Sequence, residues 1–131
     1  MTDGAALRVG RSRTGLGLFA TARLSRGTAV VEYCGPRIPT AQARELEQRG
    51  SNRYIFEING RWSIDGSNRA NIARYVNHAC RPNAEAHLVR GKIVFHALRR
   101  IEPGDEITID YGQEYIDLFF THGCRCAKCR A

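Results

Sequence analysis

Arg74-Tyr75-Val76-Asn77-His78-Ala79-Cys80-Arg81-Pro82-Asn83 is the stretch on which the fold turns. It sets two asparagines, a histidine and a cysteine beside a proline, which forbids helix continuation and pushes the residue before it out of the helical region. An ordinary core element does not look like this; a site does. Its counterpart lies later, in Gly104-Asp105-Glu106-Ile107-Thr108-Ile109-Asp110-Tyr111, a turn followed by an alternating, strand-like run that closes on Asp-Tyr.

Composition bounds what can surround these two stretches. A chain of 131 residues is one domain, large enough to bury a core and too small for two. Twenty basic residues against thirteen acidic give a net charge of +7, which steers the molecule toward acidic surfaces, nucleic acid or nucleosome-like particles. Nucleic acid is thereby expected only as an electrostatic encounter. No apolar run approaches the ~20 residues of a membrane span, and Met1-Thr2-Asp3-Gly4 lacks the regions of a signal peptide, so the expectation is a reducing compartment and no membrane. The five cysteines fit that view. Three crowd into Cys124-Arg125-Cys126-Ala127-Lys128-Cys129, which favours metal ligation over a disulfide framework. Cys34 reads as a small buried hydrophobe.

Taken from the start, Leu7 to Val9 reads as a strand and Arg11 to Thr14 as a polar link. Gly15-Leu16-Gly17-Leu18-Phe19-Ala20 matches the phosphate-cradling G-x-G-x-x-A pattern, but a dinucleotide site needs a helix at the glycines. Instead Arg26-Gly27 turns the chain into a β-branched strand, Thr28 to Tyr33. The glycines then read as a tight β-turn or a close backbone approach. Thr40 to Gln48 has helix character, with Thr40 as N-cap and Gly50 as the stop. Arg53 to Ile58 and Arg61 to Asp65 flank Asn59-Gly60, a strong hairpin signal. Ala70 to Tyr75 is expected as a brief helix, Ala86 to Val89 and Lys92 to Ala97 as a hairpin turning at Arg90-Gly91, and Tyr115, Leu118 and Phe119 as a helix ending at Gly123. The domain is therefore β-rich, an α+β fold of short strands with few helices.

From Gly15 to Cys129 these segments resemble, in order, the SET domain of protein lysine methyltransferases. The resemblance is carried by Gly15-Leu16-Gly17, Glu32-Tyr33-Cys34-Gly35, Tyr54-Ile55-Phe56, Asp65, Asn71 to His78, the Asp110-Tyr111 strand and a cysteine tail like the post-SET segment. It implies several small sheets and a knot-like crossing of the Asn-His and Asp-Tyr segments, with residues 1–111 as the SET domain and 112–131 as a post-SET-like helix and zinc-binding tail in one compact unit. The sequence departs from the family at Pro36, at Ala79, at Ile109, where Phe or Tyr is usual, and in the C-x-C-x-x-C tail.

The resemblance also implies roles. S-adenosylmethionine would be held by Gly15, Leu16, Gly17, Leu18, Tyr54, Arg74, Asn77 and His78. Tyr111 and Tyr33 would act at the reacting amine, with Phe56, Ile109 and Tyr75 lining the channel for the target lysine. Cys80, Cys124, Cys126 and Cys129 would close a tetrahedral zinc site. The partner would be a protein carrying that lysine, a histone or another basic protein, in the cytoplasm or on chromatin in a nucleus; a homodimer is compatible. The competing expectation is a basic, zinc-stapled module that binds chromatin or nucleic acid without catalysis.

Overall fold

The structure is a computed structural model and describes residues 6–112. Leu7–Ser12 (β1) and Gly15–Ala20 (β2) pair antiparallel, with Ser12 opposite Gly15 across the turn Arg13-Thr14. The glycine run is thus a strand and not a tight turn. Leu18 and Ala20 alternate into the core, and that burial extends the pairing through both glycines. Ala29–Tyr33 (β3) follows, and then Arg37–Pro39 (β4) leads directly into the helix Thr40–Gln48 (α1).

Pro39 occupies the N-cap of α1, and no side chain caps it. Thr40, expected there, is buried instead. Its hydroxyl donates to the Asn59 carbonyl at 2.9 Å and lies 2.9 Å from the Ser63 hydroxyl, so it stitches the helix start to the neighbouring hairpin. The helix ends as expected. Gly50 has φ 69°, with Ser51 N–H on the Leu46 carbonyl and Gly50 N–H on that of Glu47, a Schellman closure.

Ile55–Glu57 (β5) and Trp62–Asp65 (β6) form the expected hairpin, with β4 on the other side of β6. Asn59 stabilises its loop by accepting from the N–H groups of Arg61 and Trp62. A 3₁₀ turn, Ile72–Tyr75, precedes Asn77–His78 (β7). Ala84–Val89 (β8) and Lys92–Ala97 (β9) then pair tightly, because Arg90 (φ 51°) and Gly91 (φ 79°) adopt the left-handed conformations of a primed turn. β9 lies between β8 and β3, and Phe95 at its centre is fully buried.

Thr108–Ile109 (β10) runs parallel to β7, pairing Thr108 with Asn77 and Ile109 with His78. The Asn-His and Asp-Tyr segments therefore lie side by side. Just before β10 the same strand bonds to β2, through Ala20 N–H on the Asp105 carbonyl and Ile107 N–H on the Leu18 carbonyl. One core of Leu18, Val30, Val76, Phe95, Ile101 and Ile107 sits under these contacts, each such side chain contributing about 1.5–3 kcal/mol. Small sheets with few helices match the expected β-rich class. The helix expected at Tyr115–Phe119 and the tail cysteines Cys124, Cys126 and Cys129 lie outside the described residues.

Candidate active site

A cavity of about 610 Å³ opens between β3, β5, the 3₁₀ turn and β10. Tyr33, Tyr54, Phe56, Arg74, Ile109 and Tyr111 all line it. Alternation along β3 turns Val31 and Tyr33 inward, and the Tyr33 ring packs against Phe56 (centroids 5.2 Å apart) and Phe95 (6.0 Å). That ring also rests on Gly66, where a Cβ would come within 2.3 Å of it. The same alternation turns the next residue outward, so Cys34 is exposed and not buried. Burial around its base, with Glu32 second, still pushes its thiol up from the usual 9.0.

Tyr111 enters from the opposite wall. Its hydroxyl donates to the Val76 carbonyl at 2.5 Å, and its N–H donates to His78 Nδ1 at 3.0 Å. A neutral His78 ring that accepts at Nδ1 carries its proton on Nε2, which faces the Cys80 sulfur at 3.4 Å. Burial keeps His78 below its ordinary 6.5, and the Asp110 carboxylate 3.6 Å away only partly opposes this. Ile109 is buried beside Tyr111 on β10. Tyr75, expected in the channel, is half-buried against the core with Arg74 5.4 Å from its ring centroid, and is not on the cavity wall.

The residues expected to hold the cofactor fall into two groups. Tyr54 and Arg74 are on the cavity wall, the guanidinium 4.0 Å above the Tyr54 ring and bonded to the Ser67 carbonyl. Among the described residues Arg74 Nε is buried without a partner. Gly15 and Leu16 line a separate hollow with Arg11 and Ser12. Asn77 on β7 is tied to one wall of this hollow, its amide nitrogen donating to the Leu16 carbonyl at 2.9 Å. The Leu18 side chain is entirely buried and its carbonyl is taken by Ile107, whereas Gly17 passes directly under the carboxylate of Glu106.

Three polar residues to which the sequence assigned no role of their own hold this arrangement. Asn71, buried, accepts from Cys34 N–H and donates to the Gly66 carbonyl, joining the end of β3 to the loop that seats Tyr33. Asn83, also buried, donates to the Glu106 carbonyl at 2.8 Å and accepts from Thr108 N–H at 2.9 Å, so its side chain replaces a strand neighbour for that segment. Glu106 accepts from Asn77 at 2.7 Å. The Pro82-Asn83 pair was the available signal for Asn83, since a short amide after a proline is suited to bonding backbone. Glu106 stood in a surface-like turn with nothing to mark it. Of the expected zinc ligands only Cys80 is described, half-buried, and among the described residues no group of three His, Cys, Asp or Glu could hold a metal.

Comparison with known proteins bears on this geometry. The family model described as SET domain matches residues 15–112. Human histone-lysine N-methyltransferase 2D is 39% identical over 131 residues, covering 92% of this chain and 2% of that protein. Drosophila melanogaster histone-lysine N-methyltransferase trithorax is 34% identical over 124 residues, 88% of this chain and 3% of the relative. The Saccharomyces cerevisiae histone-lysine N-methyltransferase, H3 lysine-4 specific, is 36% identical over 104 residues, 72% of this chain and 10% of the relative. The chain thus spans a tenth or less of the length of these relatives.

Proposed function

We infer that this chain, which belongs to the SET-domain family, transfers methyl groups from S-adenosylmethionine to the side-chain amine of a lysine in a protein substrate. The observation that carries this is the cavity where the hydroxyl-bearing rings of Tyr33 and Tyr111 stand among Val76, Phe56 and Ile109. A lysine ammonium in water has a pKa near 10.4 and no free lone pair. Moving it between apolar walls disfavours the charged form, which frees the lone pair for attack. Tyr111, aimed by the Val76 carbonyl, and Tyr33, seated on Gly66, orient the amine, while Phe56 and Ile109 exclude water and hold it at near-attack geometry.

S-adenosylmethionine, when bound, supplies the electrophilic methyl on its sulfonium. The residues present fit it. Arg74 Nε, buried and without a partner among the described residues, is a cationic donor suited to a carboxylate. The main chain at Gly15 and Leu16, continued into β2 by Gly17 and Leu18, faces the amino-acid end. Asn77 offers its amide oxygen to the adenosine beside His78, whose ring is turned to Tyr111 N–H and Cys80, and Tyr54 offers a ring face. Cys80 with Cys124, Cys126 and Cys129 would hold one structural zinc and pin the tail beside the site. The relatives' names support a histone as substrate, and the +7 charge supports encounter with acidic, nucleosome-like particles of chromatin in a nucleus.

Incubation with labelled S-adenosylmethionine and a mixture of core histones and other basic proteins tests the proposal. Transfer to lysine in at least one protein is the expected result. Binding of histones or DNA with no label transferred would support the non-catalytic module instead.

A further inference from the structure

Glu106 and Gly17 meet in an unusual way for two residues on neighbouring strands. Phe19 and Glu106 are antiparallel partners, and the Glu106 side chain runs back along β2 toward Asn77. A Cβ on Gly17 would lie 2.4 Å from Glu106 Oε2, 3.1 Å from its Cδ and 3.1 Å from the Ser12 Cβ. The φ of Gly17 is not in the left-handed region, so conformation does not call for glycine here. Space does, and the carboxylate fills it.

What the carboxylate does there follows from hydrogen-bond inventory. Asn77 Nδ2 donates to Glu106 Oε2 at 2.7 Å and to the Leu16 carbonyl at 2.9 Å, with the Ser12 hydroxyl at 3.2 Å. An amide nitrogen has two hydrogens, which the two short contacts use. Both acceptors are acceptors only, so the amide cannot turn its oxygen toward them. Its oxygen has no hydrogen bond among the described residues and is left for a ligand.

We propose that Glu106 is a positioning residue for cofactor binding, its carboxylate occupying the gap left by Gly17 and fixing the Asn77 amide against Leu16. This rests on Asn77 being a cofactor-binding residue. It assigns the second glycine of the Gly-Leu-Gly run a different task from the first: Gly17 makes room for a side chain of the same protein and not for the cofactor.

The test is a double-mutant cycle in the full chain, read by calorimetric affinity for S-adenosylhomocysteine, by kcat at saturating S-adenosylmethionine and by the melting temperature without cofactor. Glu106→Ala should raise Kd at least about tenfold, as loss of a charged partner does, with kcat changed far less. Glu106→Gln keeps an oxygen in place and should bind within about threefold of the unchanged chain. Gly17→Ala should raise Kd on its own but add little in the Glu106→Ala background, only what the Ser12 contact costs. Unaltered Kd in Glu106→Ala, or losses that simply add, would overturn the proposal while leaving the cofactor reading intact. Absence of binding by the unchanged chain would instead sink the cofactor reading, and the assignment of Glu106 with it. If Glu106→Ala does not fold, Glu106→Gln and Gly17→Ala decide: rescue by the first and loss by the second support the proposal, and the reverse pattern overturns it.

Discussion

The Tyr111 hydroxyl donates to the main-chain carbonyl of Val76, the residue immediately before Asn77. The last residue of the Asp-Tyr run is thereby tied to the start of the Asn-His run, in addition to the pairing of β7 with β10 and the bond from Tyr111 N–H to His78. A ring held at its hydroxyl and its own backbone cannot swing, which is what an orienting group at a reacting amine requires.

Tyr111→Phe removes the hydroxyl and little else. Turnover should fall on the order of 10²-fold, the size typical of losing one preorganised hydrogen-bonding group, and S-adenosylmethionine affinity should hardly move. Asn77→Ala should do the opposite, weakening the cofactor about tenfold by leaving Glu106 and the Leu16 carbonyl unpaired. Calorimetry beside steady-state kinetics separates the two; equal affinity losses in both variants would contradict these roles.

Gly66→Ala tests the seat of Tyr33. The added Cβ would meet the Tyr33 ring at 2.3 Å and the Asn71 amide at 2.6 Å, at a position whose backbone any residue can adopt. Overpacking of this kind costs about 1–3 kcal/mol, and turnover should fall with it as the ring shifts. In a Tyr33→Ala background the same substitution should cost less, only what the Asn71 contact still exacts. A Gly66→Ala chain as stable and active as the unchanged one refutes the seat.

Acid should weaken the same loop through Asp65. Burial alone pushes its carboxyl up, but hydrogen bonds from Ser67 and Asn52 outweigh that and hold it below the ordinary 3.8. A lowered folded-state value means the contribution to stability is fully present above the unfolded value and is lost as pH falls through the folded one. Melting temperatures of Asp65→Asn should therefore decline less steeply than those of the unchanged chain below about pH 4. Parallel slopes would show that Asp65 carries none of the dependence.

Much of this was legible in the sequence because the signals were local. Arg90-Gly91 turns where the left-handed pair requires it, Gly50 stops α1, and Tyr33, Phe56, Ile109 and Tyr111 reach one cavity because each sits at an inward position of a short strand or its end. What was missed depends on partners far along the chain. Thr40 looked like a cap until Ser63 and the Asn59 carbonyl took its hydroxyl. Asn71, Asn83 and Glu106 are ordinary polar letters whose meaning comes only from the backbone and amide groups that the fold sets against them. Gly15 to Leu18 read as a turn because glycine pairs usually are one, and only the core burial of Leu18 makes them strand.

Zinc is tested by metal analysis of chain purified without chelator, which should find about one zinc per chain. Cys80→Ser should lower that occupancy, since it removes a thiolate from a closed four-ligand site. Stoichiometric zinc in the variant excludes Cys80 as a ligand.

The number of methyl groups transferred should follow from Ile109. It is buried on β10 and lines the cavity beside Tyr111, at the place where the family usually has Phe or Tyr. A tyrosine there could bond the amine or a channel water and restrict rotation of a methylated product. Isoleucine has no hydroxyl and is smaller, so a methylated amine can turn and present its lone pair again. The expected product therefore goes beyond monomethyl lysine, and Ile109→Tyr should shift it toward monomethyl. Phe56 and Tyr33 narrow the cavity from the other side, and a small volume change in an apolar pocket is worth only about 1–3 kcal/mol, so the shift should be one of proportions. Mass spectrometry of a methylated substrate over a long time course decides the matter: a product that stalls at one methyl with the unchanged chain means the volume at Ile109 does not set the limit.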